Sequence, residues 1–271
     1  MKRGKKTRGK EKEGITLVLS GGSARGLAHI GVIEVLQENQ IPIKRIIGTS
    51  AGALIGGLYS AGKLKEIKKL FLGMHKKEVR KFLHLHPSKQ SIFNVEKLDE
   101  LLKKYTDGIY IENLAPPFIA VSFDVAKGEK YLFKKGGLFD AIRASISIPG
   151  FFKPFKRGES LFVDGGVTDI VPVDVAKKYK DKIVVVNVEH PPKLNIKKEI
   201  ESINIIKMID YTTAFGLSEL AKLEEKGADV IIHPYTKVKR FDFYKAHQII
   251  KEGRKSALKA LPKIKRLLRK K

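Results

Sequence analysis

The order of apolar and polar positions divides the chain into alternating strand-like and helix-like runs. Residues 14–20 (GITLVLS) are a continuous β-branched and leucine run ending in glycines, the pattern of a buried parallel strand. Residues 27–38 switch to helical spacing, with Ile30, Ile33, Val35 and Leu36 on one stripe, and Pro42 leads into a second short strand at 45–47. Such a unit crosses over right-handedly, so both strands end on the same edge of the sheet. The loop at 21–26 and the turn at 48–52 are therefore expected to be neighbours. Small and apolar residues after the turn read as a buried helix. The uncharged run 46–62 falls short of the roughly 20 residues a membrane span needs.

Further along, residues 63–87 are basic and amphipathic, with Leu64, Ile67, Leu70 and Phe71, then Val79, Phe82 and Leu83, at helical spacing. This pattern fits a segment covering a lipid site or lying on an anionic membrane. Taken alone it fits an ordinary surface helix packed on the core somewhat better. Asn94 is expected to cap a helix over 95–105. Residues 118–124 and 130–133 read as a hairpin, and 138–145 as a helix ending in an apolar, proline-punctuated loop over 147–154. A short strand at 161–163 delivers Asp164-Gly165-Gly166. Residues 183–188 form a buried strand, 200–226 a long helix and 230–233 a last strand; 244–271 are helical at first and then almost wholly Lys, Arg and Leu after Pro262. The pattern predicts an α/β fold in three layers, a mostly parallel central sheet with helices on both faces.

Composition narrows the picture. With 271 residues, 42% of them hydrophobic, the chain can bury one large core. We expect a single domain over 14–261, a basic tail at 1–13 and a basic end at 262–271. Absence of cysteine excludes disulfides, thiolate metal sites and a cysteine nucleophile, and fits a reducing cytoplasm. No apolar stretch follows the basic N-terminal run, so a signal peptide is not indicated. A net charge of +25 favours anionic partners, either acidic lipid headgroups or nucleic acid. Zinc-ligand spacing, RNP-like aromatics and tryptophan are all missing, which weighs against nucleic acid. Peripheral contact with the inner face of an anionic membrane is the expected association, and the oligomeric state is not legible.

The candidate chemistry lies at the strand ends. Gly48-Thr49-Ser50-Ala51-Gly52 is a strand–turn–helix G-x-S-x-G, which exposes the serine at a strained turn while Gly48 and Gly52 let neighbouring backbone pass. The positive end of the following helix favours negative charge at Ser50. Ser20-Gly21-Gly22-Ser23-Ala24-Arg25-Gly26 is a glycine loop whose amides at Gly21, Gly22 and Ser23 could hold an oxyanion. Arg25 is placed either to fix that loop or to meet a phosphate. A dinucleotide fingerprint is disfavoured, because Ser23 replaces its middle glycine and the serine turn stands where an acidic residue is required. A serine needs a base. Asp164 could act on it directly, or His190 or His233 could complete a Ser-Asp-His triad.

Glycine loop, serine turn and Asp164-Gly165-Gly166, with the 144–154 loop before the last, resemble the patatin-like phospholipase family over residues 14–188. The resemblance implies that Ser50 and Asp164 form a catalytic dyad hydrolysing fatty-acyl lipid esters, of phospholipase A or lysophospholipase type, without metal or cofactor. Gly21, Gly22 and Ser23 would form the oxyanion hole, supported by Arg25, Gly26, Gly48, Gly52, Gly165 and Gly166. Ser23 departs from the family, which usually has glycine there. The alternatives are a carboxylesterase with a triad and a catalytically silent protein that binds anionic membranes or nucleic acid.

Overall fold

The computed structural model describes residues 13–82, 93, 95–191 and 203–269. Asn94, the start of the helix expected from residue 200, and Leu83 of the basic segment lie outside the described residues. The strands are β1 (Ile15–Leu19), β2 (Ile43–Thr49), β3 (Phe118–Asp124), β4 (Glu129–Phe133), β5 (Phe155–Arg157), β6 (Ser160–Asp164), β7 (Lys182–Val186) and β8 (Val230–Ile232). They join in the order β5-β6-β3-β2-β1-β7-β8, with β4 also paired to β3. β8, β7, β1, β2 and β3 are mutually parallel, and β4, β5 and β6 supply the antiparallel part.

Each central strand is apolar on both sides, and the period-two alternation sorts its residues into two cores. Ile15, Leu17, Leu19, Ile46, Phe118, Ala120, Val184 and Val186 face one layer. Val18, Ile47, Ile119, Val121, Ile183 and Val185 face the other. Helices α1 (Ala28–Glu38), α2 (Ala51–Ser60), α3 (Leu64–Leu72), α4 (Lys76–Phe82), α5 (Glu96–Thr106) and α6 (Leu138–Ser145) contribute to the first core. The short α7 (Val173–Ala176) and the long α8 (Ile205–Glu224) cover the second. The final helix, α9 (Ala246–Arg269), packs on α1 in the first layer. This is the three-layer α/β arrangement expected from the pattern.

Two details differ from that expectation. The strand β5, not foreseen, pairs with β6 as a hairpin. The basic stretch after Pro262, set apart in the sequence as a basic end, continues α9 to Arg269, and Ile264 within it is fully buried.

Strand register sets up the site. Residues 118–121 of β3 pair with 46–49 of β2, while residues 122–124 pair with 162–164 of β6. Over residues 120–124 the opposite edge of β3 is taken by β4. β2 and β6 therefore share one edge of β3 and run toward each other, with Thr49 opposite Val121 and Asp164 opposite the next residue, Ser122. The last residues of two strands distant in sequence meet end to end.

Candidate active site

Ser50 follows β2 directly and has φ 54°, ψ −122°, a conformation sparsely populated by any residue with a side chain. Such backbone costs on the order of 1–3 kcal/mol and persists only where its surroundings fix it. Here the fixing is visible. Ser50 N donates to Ser145 Oγ at 2.9 Å, and that hydroxyl donates to Val121 O at 2.6 Å, so the end of α6 braces the turn. A Cβ at Gly48 would lie 2.5 Å from the carbonyl of Gly52, and one at Gly52 would lie 2.2 Å from the Leu19 oxygen. Neither position has room for a side chain, as the G-x-S-x-G spacing anticipates.

Asp164 ends β6 and is 5% exposed. Its Oδ1 accepts from Gly166 N at 2.8 Å, whereas Oδ2 is buried without a well-aligned hydrogen-bond partner. Burial pushes the carboxyl up to about 6; the Ser50 hydroxyl, the Gly166 amide and the Arg240 guanidinium oppose the rise, and Glu189 adds to it. Ser50 and Asp164 are thus within electrostatic reach but not ideally bonded. Hydrogen bonds of this kind commonly tighten only when substrate is bound.

The glycine loop lies beside them, since a Cβ at Gly21 would be 3.3 Å from Ser50 Cβ and one at Gly26 would be 2.3 Å from Ala51 Cβ. The amides of the loop are not alike. Gly21 N already donates to Ile170 O at 3.0 Å, and Ala24 N to Arg240 O at 2.9 Å. Among the described residues the amides of Gly22 and Ser23 donate to nothing, so these two, not Gly21, are the donors left for an oxyanion. Ser23 has φ 50°, in the left-handed region that glycine occupies most easily, so the departure at this residue costs backbone strain and leaves the amide in place.

Arg25 is buried and committed. Its Nη2 donates to Glu189 Oε2 at 2.6 Å and its Nη1 to His190 O at 3.1 Å, which ties the loop to the chain leaving β7. Of the two roles open to it in the sequence, this is the first, fixing the loop. His190 lies against Arg25 Nη1 (3.3 Å) and the Tyr235 ring, and His233 lies 3.5 Å from Glu225, which raises its pKa. His29 is fully buried, bonds the Ser20 carbonyl at 2.9 Å and is pushed down to about 4 by burial.

Sequence reasoning missed the loop after Asp164 as a hub. Gly165 and Gly166 open a 3-10 turn (Gly165–Val167). Beyond it, Asp169 O accepts from Thr49 Oγ1 at 2.8 Å, Ile170 O holds Gly21, and Val171 N donates to Glu224 Oε2 at 2.7 Å. One segment therefore fixes the serine turn, the glycine loop and Asp164 together. Its partner Glu224, like Glu189 and Arg240 beside the glycine loop, carries no local signal, because these groups are assembled only by the fold.

Ser50, Ser23 and Gly26 open onto a cavity of about 120 Å³, walled by apolar side chains such as Leu54, Ile67, Phe71, Met74, Leu102 and Phe241. The apolar stripe of α3 and α4 is the cover of this cavity, with Ile67, Phe71, Met74 and Val79 buried against it. Among the described residues no cluster of His, Cys, Asp and Glu suited to a metal ion is present.

Known proteins share sequence and fold with this chain. The family profile described as patatin-like phospholipase matches residues 17–177. An uncharacterized NTE family protein of Mycobacterium tuberculosis is 36% identical over 168 residues, 62% of this chain and 47% of that protein. Patatin-like phospholipase domain-containing protein 6 of Mus musculus is 30% identical over 177 residues, 63% of this chain and 13% of that protein. The chain spans about half the length of the mycobacterial relative and much less of the mouse one. Among solved structures, VipD from Legionella pneumophila shares the fold, with a TM-score of 0.51 at 14% identity, over 93% of this chain and 67% of that one.

Proposed function

Because the chain belongs to the patatin-like phospholipase family, we propose that it is a serine hydrolase of fatty-acyl lipid esters in which Ser50 and Asp164 act as a dyad. The observation that carries this reading is the end-to-end meeting of β2 and β6, which brings Ser50, on the wall of an apolar cavity, within electrostatic reach of the buried Asp164 carboxyl. An acyl chain lies along the cavity with its ester carbonyl at Ser50. Asp164 takes the serine proton as the oxygen attacks the carbonyl, and the oxyanion forms against the Gly22 and Ser23 amides. Collapse of the tetrahedral intermediate returns the proton to the leaving alcohol. Water, deprotonated by the same carboxylate, then releases the fatty acid. A pKa raised by burial gives the aspartate more basicity than an exposed one near 3.9 has.

The test is hydrolysis of a p-nitrophenyl acyl ester series together with labelling by a fluorophosphonate. Ser50→Ala and Asp164→Asn should each abolish turnover, and the label should attach to Ser50. Removing one oxyanion donor typically costs roughly 10²- to 10³-fold, so loss of the nucleophile or base should exceed that. Full activity in Asp164→Asn, with loss in His190→Ala or His233→Ala, would replace the dyad by a triad. Absence of any label on a folded protein would leave a silent binder of anionic surfaces as the better reading.

A further inference from the structure

Helix α8 is apolar on two opposite faces. Inward, Ala214, Ser218 and Ala221 are buried, and Leu217 and Leu220 pack on the core that holds Ile170 and Val171. Outward, on its first three turns, Ile205, Met208, Ile209 and Phe215 fall within about 120° of one another on a 3.6-residue wheel. They are 77%, 49%, 57% and 55% exposed. A helix with this distribution suits cover on both sides, and clustered exposed apolar side chains mark a contact site.

The location of this face gives it a purpose. α8 is the crossover between parallel strands β7 and β8, so it runs against them and its N-terminal half stands at the carboxyl edge, where Ser50 and Asp164 lie. Asp210 of that half accepts from Arg240 Nε at 2.7 Å, Arg240 O holds the Ala24 amide of the glycine loop, and the next residue, Phe241, lines the cavity. Val167, 48% exposed, adds an apolar side chain on the turn after Asp164, where Leu217 packs beside Gly166. The surroundings are cationic. Lys207 is exposed on the helix, Lys237 and Lys239 are exposed on the segment leading to Arg240, and Asp210 is neutralised by its ion pair. The chain as a whole carries +25.

We propose that the outer face of α8, Ile205, Met208, Ile209 and Phe215, seats the protein on a lipid bilayer with acidic headgroups, its apolar side chains in the interface and the flanking lysines on the headgroups. The expected membrane contact is thereby reassigned, since the amphipathic α3 and α4 turn their apolar stripe inward. No described helix is long and apolar enough to cross a membrane, so the contact is peripheral. What the docking delivers, an acyl chain to the cavity mouth, rests on the hydrolase reading above.

The experiment compares the full chain with a variant carrying Ile205→Ser, Met208→Ser, Ile209→Ser and Phe215→Ser. Both are measured for co-sedimentation with phosphatidylglycerol and phosphatidylcholine vesicles, for hydrolysis of soluble p-nitrophenyl butyrate, for thermal melting and for mass by light scattering. The unaltered chain should bind phosphatidylglycerol vesicles preferentially and release as salt rises, and the variant should bind about tenfold more weakly or worse. Soluble-ester turnover and melting should match, because these side chains leave the core and the site untouched. Equal vesicle binding by the two proteins would overturn the assignment, as would a dimer that the variant converts to monomer, which would give the face to a second copy. A protein that binds vesicles through α8 but hydrolyses no ester would sink the hydrolase reading and leave the docking face standing. One that hydrolyses esters but ignores vesicles would do the reverse. Should the fourfold variant fail to fold, Ile209→Asp alone serves the same comparison.

Discussion

Burial raises Asp164 to about 6, and the single proton involved links turnover to stability in opposite directions. As the base of the proposed dyad it must be ionised, so hydrolysis should fall as pH drops through about 6. The folded state, however, holds the proton more tightly than the unfolded state, whose carboxyl titrates near 3.8. The stability this carboxyl allows is therefore full below about pH 4 and lost as pH rises through 6, a cost at pH 8 of roughly 3 kcal/mol. Asp164→Asn removes the charge while its side-chain oxygen still accepts from Gly166. The variant should be inactive yet more stable at pH 8 by roughly 2–3 kcal/mol, with no gain at pH 4, as chemical denaturation at the two pH values would register. A gain of equal size at both pH values would show that the ionised form is not what the site strains to hold. Residues of this kind were legible in the sequence because G-x-S-x-G and Asp-Gly-Gly encode local backbone geometry. Which loop amides are free was not. Gly21 is withdrawn by Ile170, and Ser50 is braced by Ser145, through contacts that only the assembled sheet creates.

The elements were read well wherever one period dominated, and least well where burial direction had to be guessed. The strands β1, β2, β3 and β7 follow from continuous apolar runs, and α6 from its stripe, with bounds close to those expected. For α3 and α4 the stripe was plain but its partner was not, because periodicity does not say whether an apolar face meets protein, cavity or membrane. The structure gives it the cavity, and under the proposed function these helices set the acyl-chain length. Met74 is buried between them and lines the cavity wall. Met74→Trp should shorten the available space. Each methylene excluded from an apolar pocket changes discrimination by roughly 1–3 kcal/mol. The kcat/KM for p-nitrophenyl dodecanoate should then fall by about tenfold or more relative to the butyrate ester, while the butyrate rate stays near that of the unaltered chain. A uniform loss across the ester series would mean that α3 and α4 shape the catalytic turn and not the chain pocket.

For the molecule as a whole, charge and chain ends invite a division that packing does not respect. The run after Pro262 looks like a basic appendage, since the proline should break a helix and the residues beyond it are mostly lysine and arginine. A proline inside a helix costs roughly 3 kcal/mol through its lost amide and its clash with the preceding turn. Yet α9 passes through it, because Ile264 is fully buried and Leu267 and Leu268 pack partly on the core shared with α1. The last turns are thus part of the first helical layer, and the backbone penalty is outweighed by apolar burial. Fully burying one such side chain contributes roughly 1.5–3 kcal/mol, so Ile264 with two half-covered leucines contributes about 3–6 kcal/mol. A chain ending at Leu261 sheds the proline penalty along with this burial, a net loss of up to about 3 kcal/mol, and should therefore melt roughly 5 °C below the full chain, given about 2–4 °C per kcal/mol at this size. Ile264→Ala in the full chain, which removes the buried group and keeps every charge, should reproduce a large part of that loss. If the shortened chain melted with the full one, the basic end would be an appendage after all. A loss in the shortened chain without one in Ile264→Ala would trace the effect to charge and not to packing.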